Sequence, residues 1–129
     1  MVKKLLLFIV LLFSCILNAQ TLYWVGGSGN FNDSNHWSLI SGGKSSGISP
    51  SASTDLIFDN NSSYNDLVIN ITGINRVKSL ITTNSINQYH FVGSNLSSIY
   101  FGGTFSLSNK TYFETASKLI FSSAGLGYN

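Results

Sequence analysis

The sequence predicts an all-β fold, in the form of a right-handed parallel β-helix that starts at an N-terminal cap rich in glycine and aromatic residues. Three observations predict it. After residue 20, short runs of β-branched and aromatic residues are broken by Gly, Asn and Ser, and no window carries apolar residues at helical spacing. Large apolar residues recur in two interleaved series: Phe58, Leu80, Phe101 and Phe121 are 22, 21 and 20 positions apart, and Ile69, Phe91 and Phe113 are 22 and 22 apart. A repeat of that length, with two main strands stacking on the turn below, is a solenoid signature. The third observation is that the Gly- and Ser-rich segment holding both tryptophans precedes the repeats, where an open solenoid end needs closing. An antiparallel β-sandwich is the alternative, because its strands also recur every ~8–12 residues.

Residues 1–20 read as a signal peptide. Lys3 and Lys4 are followed by 13 mostly apolar residues from Leu5 to Leu17 and then by Asn18-Ala19-Gln20. That run is shorter than the ~20 residues a membrane-spanning helix needs, so cleavage of the signal-peptide helix at or near Gln20 is expected, leaving no membrane span. Cys15, the sole cysteine, lies in this run. Leu12-Phe13-Ser14-Cys15 is a poor lipidation signal, with a bulky Phe where small residues are usual. Cleavage leaves a chain with neither disulfides nor thiolate metal sites, held by packing and backbone pairing. It also removes two cations, so five basic residues face five acidic ones. A neutral chain gives no argument for nucleic acid or for an anionic membrane.

Residues 21–50 form the expected cap. Gly26, Gly27 and Gly29 permit tight turns, while Trp24, Phe31 and Trp37 would converge to plug the end of a narrow core. Asp33 and Asn35 suit local side-chain turns, and His36 would satisfy a buried carbonyl or face solvent. A carbohydrate-binding alternative uses the same rings: Trp24, Phe31 and Trp37 as a sugar platform, with Asn30 and Asp33 binding hydroxyls. Residues 51–129 supply the coils. The chain closes on Ala124-Gly125-Leu126-Gly127-Tyr128-Asn129 directly after a strand-like run, so a truncated C-terminus with an unprotected last coil is expected.

From Tyr23 the chain reads YWVGGSGNFNDSNHWSLISGG, and after Pro50 it continues with STDLIFDNNSS. This resembles the N-terminal module of large secreted, adhesin-like β-helical surface proteins of Bacteroidota, which open on YWVGG-x-GNW-x-D-x-x-HWS. The shared positions are Trp24, Gly26, Gly27, Gly29, Asn30, Asp33, His36 and Trp37, then Pro50, Asp55, Phe58 and Asp59. Phe31 departs from the usual Trp but keeps an aromatic ring. The resemblance implies a secreted or outer-surface, structural or adhesive module, often a type IX secretion substrate. Surface glycans or other cell-surface polymers are the implied partners.

Catalytic chemistry is not legible. HExxH, GxSxG and a cysteine–histidine pair are all missing, and the glycines of Gly27 to Asn30 are not followed by the Lys-Ser/Thr of a phosphate loop. Asp55, Asp59 and Asp66 invite a calcium reading, but the sequence lacks the loops that gather six to eight oxygens. Of the two histidines, His90 would be turned outward by alternation in Tyr89-His90-Phe91-Val92, and Glu114 stands alone. The expectation is a non-catalytic chain without cofactor or metal. Two functions compete with structural adhesion: a carbohydrate-binding module, and the first part of a β-helical polysaccharide-degrading enzyme.

Overall fold

The structure is a computed structural model that describes residues 19–83, 85–114 and, by backbone alone, 118–121. The expected signal-peptide helix with Cys15 and the chain end after Phe121 lie outside the described residues. The fold is all-β. Its strands are β1 (Gln20–Trp24), β2 (Gly29–Asn30), β3 (Trp37–Ser38), β4 (Thr54–Phe58), β5 (Leu67–Ile71), β6 (Ile74–Val77), β7 (Ser79–Thr82), β8 (Tyr89–Gly93), β9 (Ser98–Phe101), β10 (Phe105–Ser106), β11 (Thr111–Glu114) and β12 (Lys118–Phe121). A 3-10 turn, Ser34–His36, precedes β3.

The strands assemble into three sheets, in the orders β10-β7-β4-β1-β3, β11-β8-β5-β2 and β12-β9-β6. From β4 onward each strand pairs, parallel, with the strand three places further along the chain. Among the described residues β1 and β3 form the one antiparallel pair, with Trp24 opposite Trp37. An antiparallel sandwich needs hairpin neighbours, and this pairing does not supply them.

The recurring unit contains three strands rather than the two the spacing suggests. Ile69, Phe91 and Phe113 do lie in one register across β5, β8 and β11. The other series mixes sheets: Leu80 is level with Leu56 and Phe105, Phe58 is level with Thr82, and Phe101 stands beside Val77 and Phe121 in the third sheet. Phe105, which fits neither series, belongs to the strand that the two-strand count leaves out. Near-equal spacing hid this because the offsets between registers are themselves about one strand pair long.

Alternation along the strands fills one core. In β5 Leu67, Ile69 and Ile71 are buried while Val68 and Asn70 face out. Leu22, Leu56, Phe58, Leu80, Tyr89, Phe91, Ile99 and Phe101 complete the interior around them. The cap segment 21–50 is continuous with the sheets, since β1 runs parallel to β4 and β2 to β5. Its aromatic residues therefore stack on the same core.

Among the buried polar groups of this interior, those of Asn75 and Tyr89 differ sharply in how they are satisfied. Asn75 in β6 is 5% exposed, and its amide Nδ2 faces the carbonyl oxygens of Thr72 at 3.1 Å, Gly73 at 3.3 Å and Ser98 at 3.2 Å. It ties the β5–β6 bend to the next strand set. Asn75→Ala removes the donor and leaves buried carbonyls without it, so a loss of about 1–2 kcal/mol is expected in urea unfolding.

The Tyr89 hydroxyl is buried with no hydrogen-bond partner among the described residues. Burial raises its pKa above the ordinary phenol value; the Ser85 hydroxyl eases this without reaching hydrogen-bond geometry, and the charge of Asp59 adds to it. A raised acid titrates first in the unfolded chain, so its effect is absent below about pH 10 and destabilising as pH rises above it. Tyr89→Phe is expected to raise stability by about 1 kcal/mol at neutral pH, since it deletes an unsatisfied group. It should also flatten part of the alkaline decline in a pH series of urea midpoints.

Candidate functional site

The N-terminal end of the core is a closed aromatic cluster. Trp24 ends β1, Trp37 opens β3, and their antiparallel pairing sets the rings edge to face at 5.0 Å. Phe31 meets Trp37 edge-on at 5.7 Å, and Phe58 from β4 stacks on Trp24 at 5.3 Å while meeting Trp37 edge-on at 5.6 Å. Such offset and perpendicular contacts suit the ring quadrupoles. Both indoles are satisfied: Trp24 Nε1 donates to the Gly27 carbonyl and Trp37 Nε1 to that of Phe31, each at 2.8 Å.

Local sequence explains how the rings arrive there. Gly26 and Gly27 follow Val25 with φ of 85° and 83°, a left-handed conformation that reverses the chain after β1. Asp33 caps the 3-10 turn, its carboxylate accepting from Asn35 N at 2.9 Å. That turn delivers His36 flat against Trp24, with ring centroids 4.7 Å apart and planes 5° apart. His36 Nδ1 also lies 2.9 Å from the Val25 carbonyl oxygen, which fits the first of the two roles expected for it. Gly29 serves this histidine rather than a turn. It sits in β2, and a Cβ there would lie 2.0 Å from His36 Nε2. The sequence reading of Gly29 as a turn residue is corrected accordingly: what the position requires is close approach.

Trp24, Phe31 and Trp37 are each fully buried. Of the alternative carbohydrate set, Asn30 is exposed, Asp33 is engaged in its cap, and the three rings face His36, Phe58 and one another. A sugar would find no open ring face, so these three residues form no flat platform. The three rings belong to the same core cluster as the buried strand positions.

The aspartates flagged for calcium are dispersed. Asp55 pairs with Lys78 at 3.0 Å, Asp59 accepts from Ser41 Oγ at 2.6 Å and from Asn61 N at 2.9 Å, and Asp66 accepts from Gln88 N at 2.7 Å. Among the described residues no three His, Cys, Asp or Glu side chains come together. The Lys78–Asp55 pair is partly exposed and contributes little.

The second sheet carries a group on its outer face that linear sequence does not reveal. His90 is turned outward, and Glu114, isolated in the chain, is hydrogen-bonded to His90 Nδ1. Gln88 Oε1 lies 2.9 Å from His90 Nε2, and the Tyr112 ring stacks on the imidazole at 5.1 Å. The 22-residue register of β8 and β11 makes this neighbourhood, and only knowledge of that register would have found it.

Compared with protein-family models, curated proteins and solved structures, the chain matches none of them. Among the described residues no helix is long and apolar enough to cross a membrane.

Proposed function

We propose that the chain is the opening segment of a parallel β-helix in an exported protein, and that it serves as a structural and adhesive module of the outer cell surface rather than as a catalyst. The hand is right-handed, as parallel crossovers are in nearly all cases. The observation that carries the reading is the three-strand recurrence around one core, with aromatic rings closing its first end. A solenoid stores stability between neighbouring turns and needs such a plug where no neighbour exists. The module is a rigid stalk whose flank contacts surface glycans or other cell-surface polymers.

Surface chemistry supports that role. The exposed residues of the bends are mainly Ser, Asn, Thr and Gly, groups that hydrogen-bond to neutral polymers without attracting bulk charge. The motif from Tyr23 to Asp59, with its likeness to secreted adhesin-like modules, points the same way. Burial of Trp24, Phe31 and Trp37 favours the plug over the sugar platform.

The test uses cells that export the chain joined to an outer-membrane anchor. Firmer attachment to polysaccharide-coated surfaces is expected under flow, and intact mass should place the new N-terminus at or near Gln20. Unchanged attachment by cells displaying the folded chain would remove the adhesive role. Retention of residues 1–20 would remove the cleaved leader.

A further inference from the structure

A cavity of about 330 Å³ opens beside the aromatic plug, between the Gly26-Gly27 reversal, the Gly42-Gly43 turn and the bend that joins β4 to β5. Ligand pockets start at about 300 Å³, so it is large enough for a small unit of a polymer. Three features give it a chemical preference. Two of its walls are glycine backbone, Gly26-Gly27 and Gly42-Gly43, in which the Gly27 carbonyl accepts from Trp24 Nε1 and Gly43 N donates to the Ile40 carbonyl, leaving the other peptide groups for a ligand. None of its lining residues is charged. Its rim carries Tyr64, an aromatic ring that is 100% exposed and therefore contributes nothing to the core.

The polar groups are held in place. Asp59, a carboxylate at the start of this bend, is spent on the bend itself, where it accepts from Ser41 Oγ and Asn61 N. Ser41 Oγ in turn accepts from Asn61 Nδ2 at 2.9 Å, which fixes the Asn61 amide at the cavity wall. Ser62 Oγ accepts from Asp59 N at 2.9 Å, and Ser63 Oγ accepts from Asn65 N at 3.1 Å, so the bend is cross-braced. Exposed Asn65 adds a second amide. The preorganised Asn61 amide, the Asn65 amide and backbone groups beside an open aromatic face suit a ligand with hydroxyls on its edge and C–H groups on its face.

The geometry points to this cavity as a binding subsite for an uncharged sugar residue of a polysaccharide, stacked on Tyr64 and hydrogen-bonded by Asn61, Asn65 and the glycine backbone. The subsite deepens the adhesive reading and rests on it, yet lies apart from the buried rings. Trp24 supplies an internal reporter, because its indole N–H is bonded to the Gly27 carbonyl at the cavity wall.

The experiment is an NMR titration of the 15N-labelled chain, produced behind its own leader, with cellohexaose, chitohexaose and mannohexaose, and with anionic oligogalacturonate as a separate arm. At least one neutral hexasaccharide should shift the amides of Gly26, Gly27, Gly42, Gly43 and Asn61 to Asn65, together with the Trp24 indole proton. Tyr64→Ala should weaken that binding roughly tenfold or more, whereas Tyr64→Phe should retain most of it. Tyr64 is fully exposed, so unchanged spectra elsewhere will show the variant folded. Tyr112→Ala, on another face, should bind as the unaltered chain does. The assignment is overturned by shifts that map to another surface, by full-strength binding to Tyr64→Ala, by preference for the anionic oligomer, or by no binding of any neutral hexasaccharide. In those cases attachment of displaying cells still decides the adhesive reading separately.

Discussion

Phe58→Ala is expected to destabilise the folded chain by about 3–5 kcal/mol, the usual cost of deleting a large buried ring. Phe58 is fully buried and touches four other rings: Trp24 and Trp37 on the cap side, Tyr89 at 5.8 Å and Phe91 at 5.2 Å on the side of the next strand set. It is the residue through which the plug is packed onto the repeats. A cavity there would loosen both, because neither side can collapse without breaking a strand register fixed by backbone bonds. Against a typical domain stability of about 5–15 kcal/mol, the loss is large. Urea unfolding followed by tryptophan emission reads it directly, since both tryptophans contact the deleted ring. A loss below about 1 kcal/mol would mean that the plug and the repeats are packed independently.

Gly29→Ala is expected to cost about 3 kcal/mol, the upper end of the overpacking range. The added Cβ would sit 2.0 Å from His36 Nε2 and 2.6 Å from its Cδ2, so the imidazole must leave. Its departure uncovers one face of Trp24 and gives up the contact with the Val25 carbonyl. The mechanism makes the effect non-additive. In a His36→Ala background the methyl has room, and Gly29→Ala should then cost far less. Equal costs in both backgrounds would place the strain in the backbone of β2 instead. Iodide quenching adds a second readout: Trp24 should be shielded in the unaltered chain and more accessible in Gly29→Ala.

Legibility in the sequence followed the register. Ile69, Phe91 and Phe113 can be recognised as one stack because the bends between β5, β8 and β11 keep a constant 22-residue interval. The first and third sheets are harder to read. Leu56 to Leu80 spans 24 positions and Leu80 to Phe105 spans 25, while Ile99 to Leu119 spans 20, so no fixed interval labels those columns. The plug rings stand out through size and glycine context. Phe58 stands out as a repeat position, yet nothing local says that a β4 residue will meet Trp24. Gly29 shows the limit in another way: glycine required for close approach looks the same in sequence as glycine required for a turn. Tyr64 and the cavity beside it arise from three separated segments, and exposure of one tyrosine is not a sequence property.

The parallel stacking of strands in three sheets is the central claim, and through-space NMR contacts test it most directly. The account predicts interstrand contacts between backbone protons of Ile69 and Phe91, of Phe91 and Phe113, and of Leu56 and Leu80, in the parallel pattern. Close Hα–Hα contacts between chain neighbours such as β4 and β5 or β7 and β8 would instead reveal antiparallel hairpins and contradict it.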